Sequence, residues 1–467
     1  MDNTVQNLSG KLFPVRKKYF RLQPLSNFIK VHNFHDGSAL VISPVDALIL
    51  ELCSGQYDIN DITTICGGTF RMLDKDAGQC VLEVLEKYSE DISLFSAPLT
   101  SPLPSNPMRI LTSARHPGIT NPLRDDYPSK LTISITYRCN HHCCFCCISA
   151  GNPMPGELEE TEWLRVIDEA ADLGVMEVII SGGEPMIHPG IFSIVKRIVD
   201  KGMYPIILSN GALLTEENIK KLSDLGAGYF FLNLTAANEQ LYDSIVGYKG
   251  NFPLVKKAIQ NLKKYGLFTK VKIVLLPFNV KEIEPILDFC YKSGVDQIRV
   301  EPFRLTHISR QGKELLLSNI QLLEVEEVVK RKKEIYGKKM TIDSAPFIDL
   351  SWKGPSDISR CGGVKSELTV LPNGDITLCE IVSNTLPDFI FGNIRETSLN
   401  NIWFSNKPDL VYRVDPDLLD EPCKSCEYLD RCKTGCVVCT LVHSCNPWSV
   451  DPRCWKSDIP GNAFRSR

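Results

Sequence analysis

The chain has 467 residues, of which 43% are hydrophobic and 23% are charged, a composition typical of an ordinary globular protein of several domains. It excludes a disordered, collagenous or coiled-coil chain. The formal net charge of −4 excludes binding of nucleic acid or an anionic membrane by overall charge alone. No apolar run approaches the ~20 residues of a membrane helix, and residues 1–13 lack the apolar core of a secretion signal. We therefore expect a cytoplasmic protein with no membrane partner.

Residues 12–96 are predicted to form a small α+β module. Alternating apolar runs at Phe28–His32 and Ala39–Ile42 indicate short strands, with Asp36-Gly37 as the hairpin turn between them. Three helices follow, so the order of elements predicts a winged-helix-like module. The residues expected to start or end these helices are Ser43, Pro44, Gly55, Asp58 and Asp74.

Residues 97–130 are rich in Pro, Ser, Asn and Gly and are predicted to be a linker. From 131 to 345, apolar strand-like runs alternate with helical stretches in about six βα units, which predicts a parallel α/β sheet with ligands at the carboxyl ends of its strands. The predicted strands are Leu131–Thr136, Val178–Ser181, Pro205–Ser209, Phe230–Leu234, Val271–Leu276 and Gln297–Val300. The predicted helices are Thr161–Leu173 with Thr161 as N-cap, Ile191–Lys201, Glu216–Leu225, Leu254–Tyr265 and Ile283–Ser293.

Eighteen cysteines are the most unusual feature of the composition. In a reducing cytosol, thiols at this density are more often metal ligands or catalysts than disulfides. Five fall within Cys139–Cys147 and seven within Cys423–Cys454, and the region from about residue 351 has few long periodic segments. We therefore expect metal, rather than a large apolar core, to organise that region. The isolated cysteines, expected to be small buried hydrophobes, are Cys53, Cys66, Cys80 and Cys290.

Cys139, Cys143 and Cys146 have a C-x3-C-x2-C spacing directly after the first predicted strand of the sheet. Three thiolates leave one iron of a four-iron cluster open to a small molecule. The alternative is a zinc site completed by His141 or His142. The same spacing recurs near the C-terminus, at Cys432, Cys436 and Cys439. Only the first copy lies at the start of a loop at the ligand-binding end of a parallel sheet, so its position favours it as the cluster-binding motif.

Small and polar residues follow the next two predicted strands. Gly182 and Gly183 would let the backbone approach a ligand, and Glu184 can accept hydrogen bonds from an ammonium group. Ser209 and Asn210 offer hydroxyl and amide groups suited to a ribose, although Asn-Gly is by default a turn.

Together these motifs resemble the radical S-adenosylmethionine (SAM) enzymes, over about residues 131–300, and include an aromatic residue, Phe145, before the third cysteine. The resemblance implies a partial (β/α)6 TIM barrel in which the cysteine triplet holds a cluster whose open iron chelates the amino and carboxylate groups of SAM. Residues 182–184 would bind the amino end of SAM, and residues 209–210 its ribose side. The cluster, supplied with electrons by a flavodoxin or ferredoxin, would cleave SAM to a 5′-deoxyadenosyl radical that abstracts a substrate hydrogen.

Two features depart from the common pattern of these enzymes. Asn233-Leu-Thr235 stands where many relatives have Ser-Leu-Asp, which leaves the contacts with the substrate open. Cys144 and Cys147 lie outside the triplet; we expect them to be structural, with a redox role as the alternative.

The C-terminal cysteines from 351 to 467 match the SPASM pattern of peptide-modifying radical SAM enzymes. The resemblance implies two auxiliary clusters, and therefore three iron–sulfur clusters in all. One complete ligand set would be Cys423, Cys426, Cys432 and Cys454, and a second set of three would be Cys361, Cys379 and Cys436. Asn373-Gly374 is predicted to form a hairpin turn that brings the first two cysteines of the second set together.

The second auxiliary set lacks a fourth cysteine, because residues 345–360 contain none. Either Cys439 or Cys445 completes it, or its open iron binds a substrate thiolate, as in relatives that make thioether links. A purely structural role for both clusters is the alternative.

The N-terminal module resembles the PqqD-like peptide-recognition elements fused to such enzymes, through the apolar pattern of Ser43–Gly55. This implies binding of a leader peptide as a strand added to a sheet edge. The rival is a DNA-binding winged helix, but residues 1–96 carry nine Lys and Arg against twelve Asp and Glu, which argues against binding of nucleic acid.

These features predict a radical SAM oxidoreductase that matures a ribosomally made precursor peptide. The preferred reaction is a thioether link from a cysteine sulfur to a carbon, as in sactipeptides and ranthipeptides. Carbon–carbon cross-linking, Cα epimerisation and formylglycine formation on a sulfatase are alternatives within the class. An iron–sulfur redox sensor that binds DNA is the alternative from another class.

Overall fold

The structure is a computed structural model that describes residues 11–17, 20–24, 29–33, 38–100, 103, 127–306, 312–337, 339–344, 363, 366–382, 386–405, 416–454 and 456. The predicted hairpin turn at Asp36-Gly37, most of the linker and the predicted ligand Cys361 lie outside these residues. Among the described helices, none is both long and apolar enough to span a bilayer.

The N-terminal module contains five strands and three helices in its described residues. The strands are β1 (Phe13–Arg16), β2 (Phe20–Pro24), β3 (Ile29–Asn33), β4 (Ser38–Ile42) and β5 (Ile92–Phe95), and the helices are α1 (Pro44–Leu52), α2 (Ile59–Phe70) and α3 (Asp74–Lys87). Strands β2, β3 and β4 form an antiparallel sheet in that order, and β1 pairs with β5. Val31, Leu48, Ile62 and Val81 place the sheet and all three helices around one core. The predicted strands and helices are thus confirmed, whereas the likeness to a winged helix stays a prediction.

The predicted helix starts are partly confirmed. Ser43 accepts a hydrogen bond from the Asp46 N–H at 3.0 Å, and Asp58 caps α2 in the same way. Asp74 is the first residue of α3 rather than its cap. Thr161 is also wrong as a cap, because the Glu162 carboxylate accepts from the Glu159 N–H at 2.9 Å and the helix begins earlier.

Ten strands form one sheet in the described part of the chain. The strands are β6 (Lys130–Ser134), β7 (Glu177–Ser181), β8 (Tyr204–Ser209), β9 (Tyr229–Asn233), β10 (Phe268–Leu275), β11 (Gln297–Pro302), β12 (Thr341–Ser344), β13 (Glu367–Val370), β14 (Asp375–Thr377) and β15 (Ile390–Asn393). Their order is β12-β11-β10-β9-β8-β7-β6-β13-β14-β15, and β6 to β12 are parallel. The predicted parallel α/β sheet is confirmed; its closure into a partial barrel stays a prediction.

Helices connect these strands and cover the sheet. They are α4 (Glu160–Asp172), α5 (Ile191–Asp200), α6 (Glu216–Asp224), α7 (Glu239–Val246), α8 (Phe252–Lys264), α9 (Ile283–Lys292), α10 (Asn319–Tyr336), α11 (Leu399–Phe404), α12 (Leu429–Cys432) and α13 (Val437–Ser444). Each of the five predicted helices is present within a few residues of its predicted bounds. Helix α10 and the short helix α7 were not predicted from the sequence, and α7 holds part of the functional site.

The C-terminal region is joined to the parallel sheet. Strand β13 pairs in parallel with β6, and Leu368, Val370 and Trp403 belong to the same apolar core as the rest of the sheet. Contrary to the expectation, the described residues between 367 and 404 have an apolar core; the part played by metal stays a prediction. The predicted hairpin is confirmed, because β13 and β14 are antiparallel and the Gly374 N–H donates to the Leu371 carbonyl at 2.9 Å.

Trp403 on α11 tests how far this region depends on the shared core. Its side chain is fully buried and α11 packs against α4. We expect Trp403→Ala to lower the free energy of unfolding by about 3–5 kcal/mol, because it leaves a large cavity. The control is Phe404→Ala on the same helix, whose ring is 40% exposed. Denaturant unfolding followed by circular dichroism measures both, and equal losses would contradict the shared core.

Candidate functional site

The loop after β6 carries the predicted cysteine triplet. Cys139, Cys143 and Cys146 line one cavity of about 190 Å³. The His141 N–H donates to the Cys139 sulfur at 3.4 Å, and the Ala150 N–H donates to the Cys146 sulfur at 3.3 Å. Hydrogen bonds to sulfur favour the charged thiolate that an iron–sulfur cluster requires. The donor set therefore fits a cluster held by three cysteines.

The last turn of helix α7 holds this cysteine loop by backbone hydrogen bonds. The His142 N–H donates to the Val246 carbonyl and the Cys144 N–H to the Ile245 carbonyl, each at 2.9 Å. Gly247 ends the helix with a φ of 64°, and a Cβ there would lie 2.8 Å from the His142 carbonyl oxygen. The last carbonyls of α7, which have no partner within the helix, thus hold the loop in place.

The glycine turn after β7 lies against the start of the cysteine loop. The Gly183 N–H donates to the Thr136 carbonyl at 2.7 Å. A Cβ on Gly182 would lie 2.3 Å from that oxygen, and a Cβ on Gly183 would lie 2.2 Å from the Arg138 carbonyl oxygen. Both glycines line the cavity, so side chains at these positions would close the approach between the two loops.

Glu184 is fully buried and connects the glycine turn to the end of β8. Its carboxylate accepts hydrogen bonds from the Met186 N–H at 3.1 Å, the Ser209 hydroxyl at 2.9 Å and the Asn210 N–H at 2.8 Å. Burial raises the pKa of this carboxyl to about 7, and the three hydrogen bonds oppose that rise. The observed partners make Glu184 a support of the cavity; its predicted contact with the amino end of SAM stays a prediction.

Ser209, Asn210 and Phe145 line the cavity, as does Asn233 at the end of β9. The Asn210 amide donates to the Asn140 side-chain oxygen at 2.8 Å, which joins β8 to the cysteine loop. The side-chain oxygen of Asn233 is buried and has no hydrogen-bond partner among the described residues. Because a buried polar atom without a partner is costly, this oxygen suits a polar ligand in the cavity.

One wall of the cavity is charged and was not predicted from the sequence. It consists of Lys272 on β10, Glu301 on β11 and Arg304 just after β11. Lys272 pairs with Glu301 at 2.6 Å, and Arg304 pairs with the same carboxylate at 3.0 Å. Burial favours the neutral carboxyl, but Arg304 and Lys272 hold the pKa of Glu301 below its ordinary value. All three line the cavity. For Glu301 and Arg304 the available signal was their place after the predicted strand Gln297–Val300, whereas Lys272 lies within a predicted strand and gave no such signal.

Glu380 was also missed, and it brings the C-terminal region into the cavity. It follows the predicted ligand Cys379, and its carboxylate accepts from the Ser181 hydroxyl at 2.7 Å and the Ser134 hydroxyl at 3.3 Å. These hydroxyls belong to the last residues of β7 and β6. An acidic residue next to a predicted cluster ligand was the signal in the sequence.

The cysteines predicted to bind one complete auxiliary cluster are close neighbours. Burial, with smaller contributions from nearby thiols and Asp451, raises the pKa values of the Cys432 and Cys454 thiols to about 12. The neighbouring thiols come from the same predicted set, which is Cys423, Cys426, Cys432 and Cys454. The described cysteines are all free thiols. In the part of the chain that the structure describes, no three metal-binding side chains are arranged to hold a single ion.

The second predicted set is described only in part. Cys379 follows β14 and packs against the core of the sheet, and Cys436 precedes α13. The Cys436 thiol is in hydrogen-bonding contact with Cys439, and this contact lowers the pKa of Cys436. Cys445, at the other end of α13, is exposed. Cys144 and Cys147 both pack against the core of the sheet.

Comparison with known protein families agrees with this site. Residues 133–290 match the Radical SAM superfamily, and residues 361–427 match the SPASM iron–sulfur cluster-binding domain. The chain therefore carries a radical SAM domain and a SPASM domain. SAM and iron–sulfur clusters are accordingly its cofactors; the assignment of each cluster to its cysteines, and the number of clusters, remain predictions.

Among the similar proteins are several named PqqA peptide cyclase. The chain is 26% identical to the PqqA peptide cyclase of Rhizobium meliloti (strain 1021) over 338 residues, which cover 71% of this chain and 88% of the relative. It is 27% identical to the PqqA peptide cyclase of Granulibacter bethesdensis, over 70% of this chain and 87% of the relative.

Solved structures of Streptococcus suis SuiB share the fold over most of the chain. The structure bound to SAM gives a TM-score of 0.64 at 18% identity and covers 93% of this chain and 98% of SuiB. The structure bound to the precursor peptide SuiA gives a TM-score of 0.64 at 17% identity, over 94% and 98% of the two chains.

Gly183→Ala tests the close approach of the glycine turn. Gly183 has no positive φ, so alanine fits its backbone, but the added methyl would collide with the Arg138 carbonyl. We expect SAM binding, measured by equilibrium dialysis, to weaken at least tenfold while the circular dichroism spectrum is kept. The control is Gly190→Ala, where the methyl would meet only the side chain of Glu160. Equal binding by both variants would contradict this role for the turn.

Proposed function

We propose that this chain modifies a ribosomally made precursor peptide by oxidative cross-linking with radical SAM chemistry. The observation that carries the proposal is the composition of the cavity. It combines the cysteine triplet and the glycine turn of the radical SAM domain with Glu380 from the SPASM region. The similar proteins named PqqA peptide cyclase, and the SuiB structure with a bound precursor peptide, support a peptide substrate.

When bound, SAM and its cluster would supply a 5′-deoxyadenosyl radical that removes one hydrogen atom from the peptide. Joining two residues by a new bond removes a second hydrogen, whose proton needs an acceptor and whose electron would pass to an auxiliary iron–sulfur cluster of the SPASM region. Glu380 is suited to that role, because its carboxylate lies in the cavity and is held by the hydroxyls of Ser134 and Ser181. The ion pair of Lys272 and Glu301, which also lines the cavity, would orient polar groups of the peptide.

The N-terminal module would bind the leader of the precursor peptide. Strand β4 is an edge strand, and two of its own residues, Leu40 and Val41, are 59% and 64% exposed. An exposed edge offers main-chain hydrogen bonds to an added strand, and exposed apolar side chains on it offer contacts for specificity. Among the described residues, this is an edge where an extended leader can pair.

The type of bond depends on the second auxiliary cluster. A thioether is the product expected if the set of Cys361, Cys379 and Cys436 leaves an iron open to the peptide sulfur. A carbon–carbon bond, or epimerisation at Cα, is expected if the chain supplies a fourth ligand. Cys439 is close enough to lower the pKa of Cys436 and would be that fourth ligand. Carbon–carbon cross-linking is therefore the second candidate function.

Mass spectrometry of a precursor peptide encoded beside this gene tests the function. The peptide is treated anaerobically with enzyme, reductant and SAM in deuterated water and is then alkylated at its thiols. A cross-link removes two hydrogens; a thioether also blocks alkylation of a cysteine, whereas a carbon–carbon bond leaves the thiols free. Epimerisation adds deuterium at an α-carbon. If no 5′-deoxyadenosine is released and no peptide changes, the proposed function is wrong.

Leader binding by β4 predicts the effect of charge on that strand. We expect Leu40→Asp with Val41→Asp to weaken binding of a fluorescent precursor peptide at least tenfold in anisotropy titrations, because both side chains would contact the added strand. The control is Leu73→Asp, which is 75% exposed in the same module but lies outside the sheet. Equal weakening by the control would argue against the β4 edge as the leader site.

If Glu380 accepts the proton, its replacement should uncouple formation of cross-linked peptide from release of 5′-deoxyadenosine. We expect Glu380→Gln to lower cross-linked peptide at least tenfold per 5′-deoxyadenosine released, because the amide cannot take up the proton. SAM binding should stay within threefold of the wild type. Glu380→Asp keeps a carboxylate and should recover part of the yield. An unchanged ratio in Glu380→Gln would remove this role.

A further inference from the structure

Two thiols meet at the start of α13, outside the cavity already described. Cys436 is the N-cap residue of the helix, and Cys439 is three residues further along. That spacing places both side chains on one face of the first turn, where Cys439 is close enough to lower the pKa of the Cys436 thiol. Cys439 is 0% exposed, and its neighbours Val437 and Val438 belong to the core of the parallel sheet. The pair is therefore held in one position by the surrounding core.

Cys445 has a different place. It follows the C-terminal end of α13, is exposed, and lies nine residues after Cys436. At 1.5 Å per residue, the helix separates these positions by about 13 Å. One four-iron cluster is too small to take ligands from both ends of the helix.

Charged groups around the pair suit bound thiolates. The Cys436 N–H donates to the buried Asp451 carboxylate at 2.8 Å, and Asp451 accepts from the buried Arg453 guanidinium at 2.7 and 2.9 Å. Arg453 and Arg304 both lie close enough to act electrostatically on the two thiols. Because each cysteine loses its proton on binding metal, the two guanidinium groups offset part of the charge that develops, although each is also paired with a carboxylate, Arg453 with Asp451 and Arg304 with Glu301.

We infer that Cys439 is a ligand of the auxiliary cluster that contains Cys436, and that it fills the place that the SPASM pattern leaves open. The inference rests on the proposed function for the presence of that cluster. With its fourth ligand from the chain, this cluster has no iron for a peptide sulfur. This removes the route to a thioether through an iron-bound sulfur and favours a bond between carbon atoms. Cys436 and Cys439 would hold the cluster near Arg304, whose side chain lines the cavity.

The test uses full-length protein in which Cys139, Cys143 and Cys146 are all replaced by Ala, so that only auxiliary clusters remain. In this background, Cys439→Ala and the control Cys445→Ala are compared by iron content and by electron paramagnetic resonance after reduction. We expect the control to match the background. We expect Cys439→Ala either to lose one cluster, and thus roughly half of the iron, or to keep an altered cluster.

Added 2-mercaptoethanol then probes for an open iron. It should leave the spectrum of the background unchanged and should shift the spectrum of a Cys439→Ala protein that keeps its cluster. Cys439→Ser, whose oxygen can still bind iron, should retain more iron than Cys439→Ala. A background spectrum that shifts with thiol, or a Cys439→Ala protein with unchanged iron and spectrum, overturns the inference. Unchanged iron and an unchanged spectrum in Cys439→Ala would mean that Cys439 is a free thiol and not a cluster ligand.

These measurements need neither SAM nor peptide. Their failure leaves the proposed cross-linking untouched, and a failure of the proposed function leaves the iron counts unchanged. The two ideas are therefore tested separately.

Discussion

The backbone contact between the first two strand ends of the parallel sheet is the constraint on which the site depends. The Gly183 N–H binds the Thr136 carbonyl, and the Glu184 N–H binds the Arg138 carbonyl at 2.9 Å. These bonds continue the pairing of β6 and β7 beyond the sheet, into the cysteine loop. They need an approach so close that no side chain fits at 182 or 183. The position of the first thiol is thus fixed by main-chain geometry rather than by its own packing.

The buried carboxylate of Glu184 extends the same constraint to a third strand. A carboxylate without donors would be very costly at this depth, but three donors surround it, and two of them come from the end of β8. Ser209 and Asn210 therefore hold Glu184 and line the cavity at once. Any movement of β8 would leave a buried carboxyl without its hydrogen-bond donors, so the cavity keeps its shape before a ligand enters.

The sequence allowed prediction of features that depend on nearby residues. The caps at Ser43 and Asp58, the repeated strands and helices, and the triplet of Cys139 to Cys146 follow from local spacing. The start of α4 was misplaced by competing acidic caps, since Glu159 and Thr161 lie two residues apart. Helix α7 was missed because it is only eight residues long. It holds the cysteine loop through backbone carbonyls, which are present in any sequence and therefore give no signal.

Long-range features could not be predicted in the same way. The pairing of β13 with β6 joins residues more than two hundred positions apart, and neither strand indicates its partner by its pattern. Glu380 reaches the cavity only because of this pairing. Glu301 was visible at the end of a predicted strand and Lys272 within another, but charged residues are more often solvated than turned toward a ligand.

The pairing of β6 with β13 also has a consequence for biosynthesis. Synthesis proceeds from the N-terminus, so β6 leaves the ribosome long before Glu367–Val370 exist. Until then β6 is an outer strand with one unpaired side, and it carries the cysteine loop at its end. An iron–sulfur cluster inserted during translation would enter an incomplete sheet. We therefore expect the nascent chain to need protection from aggregation and oxidation until its last quarter has been made.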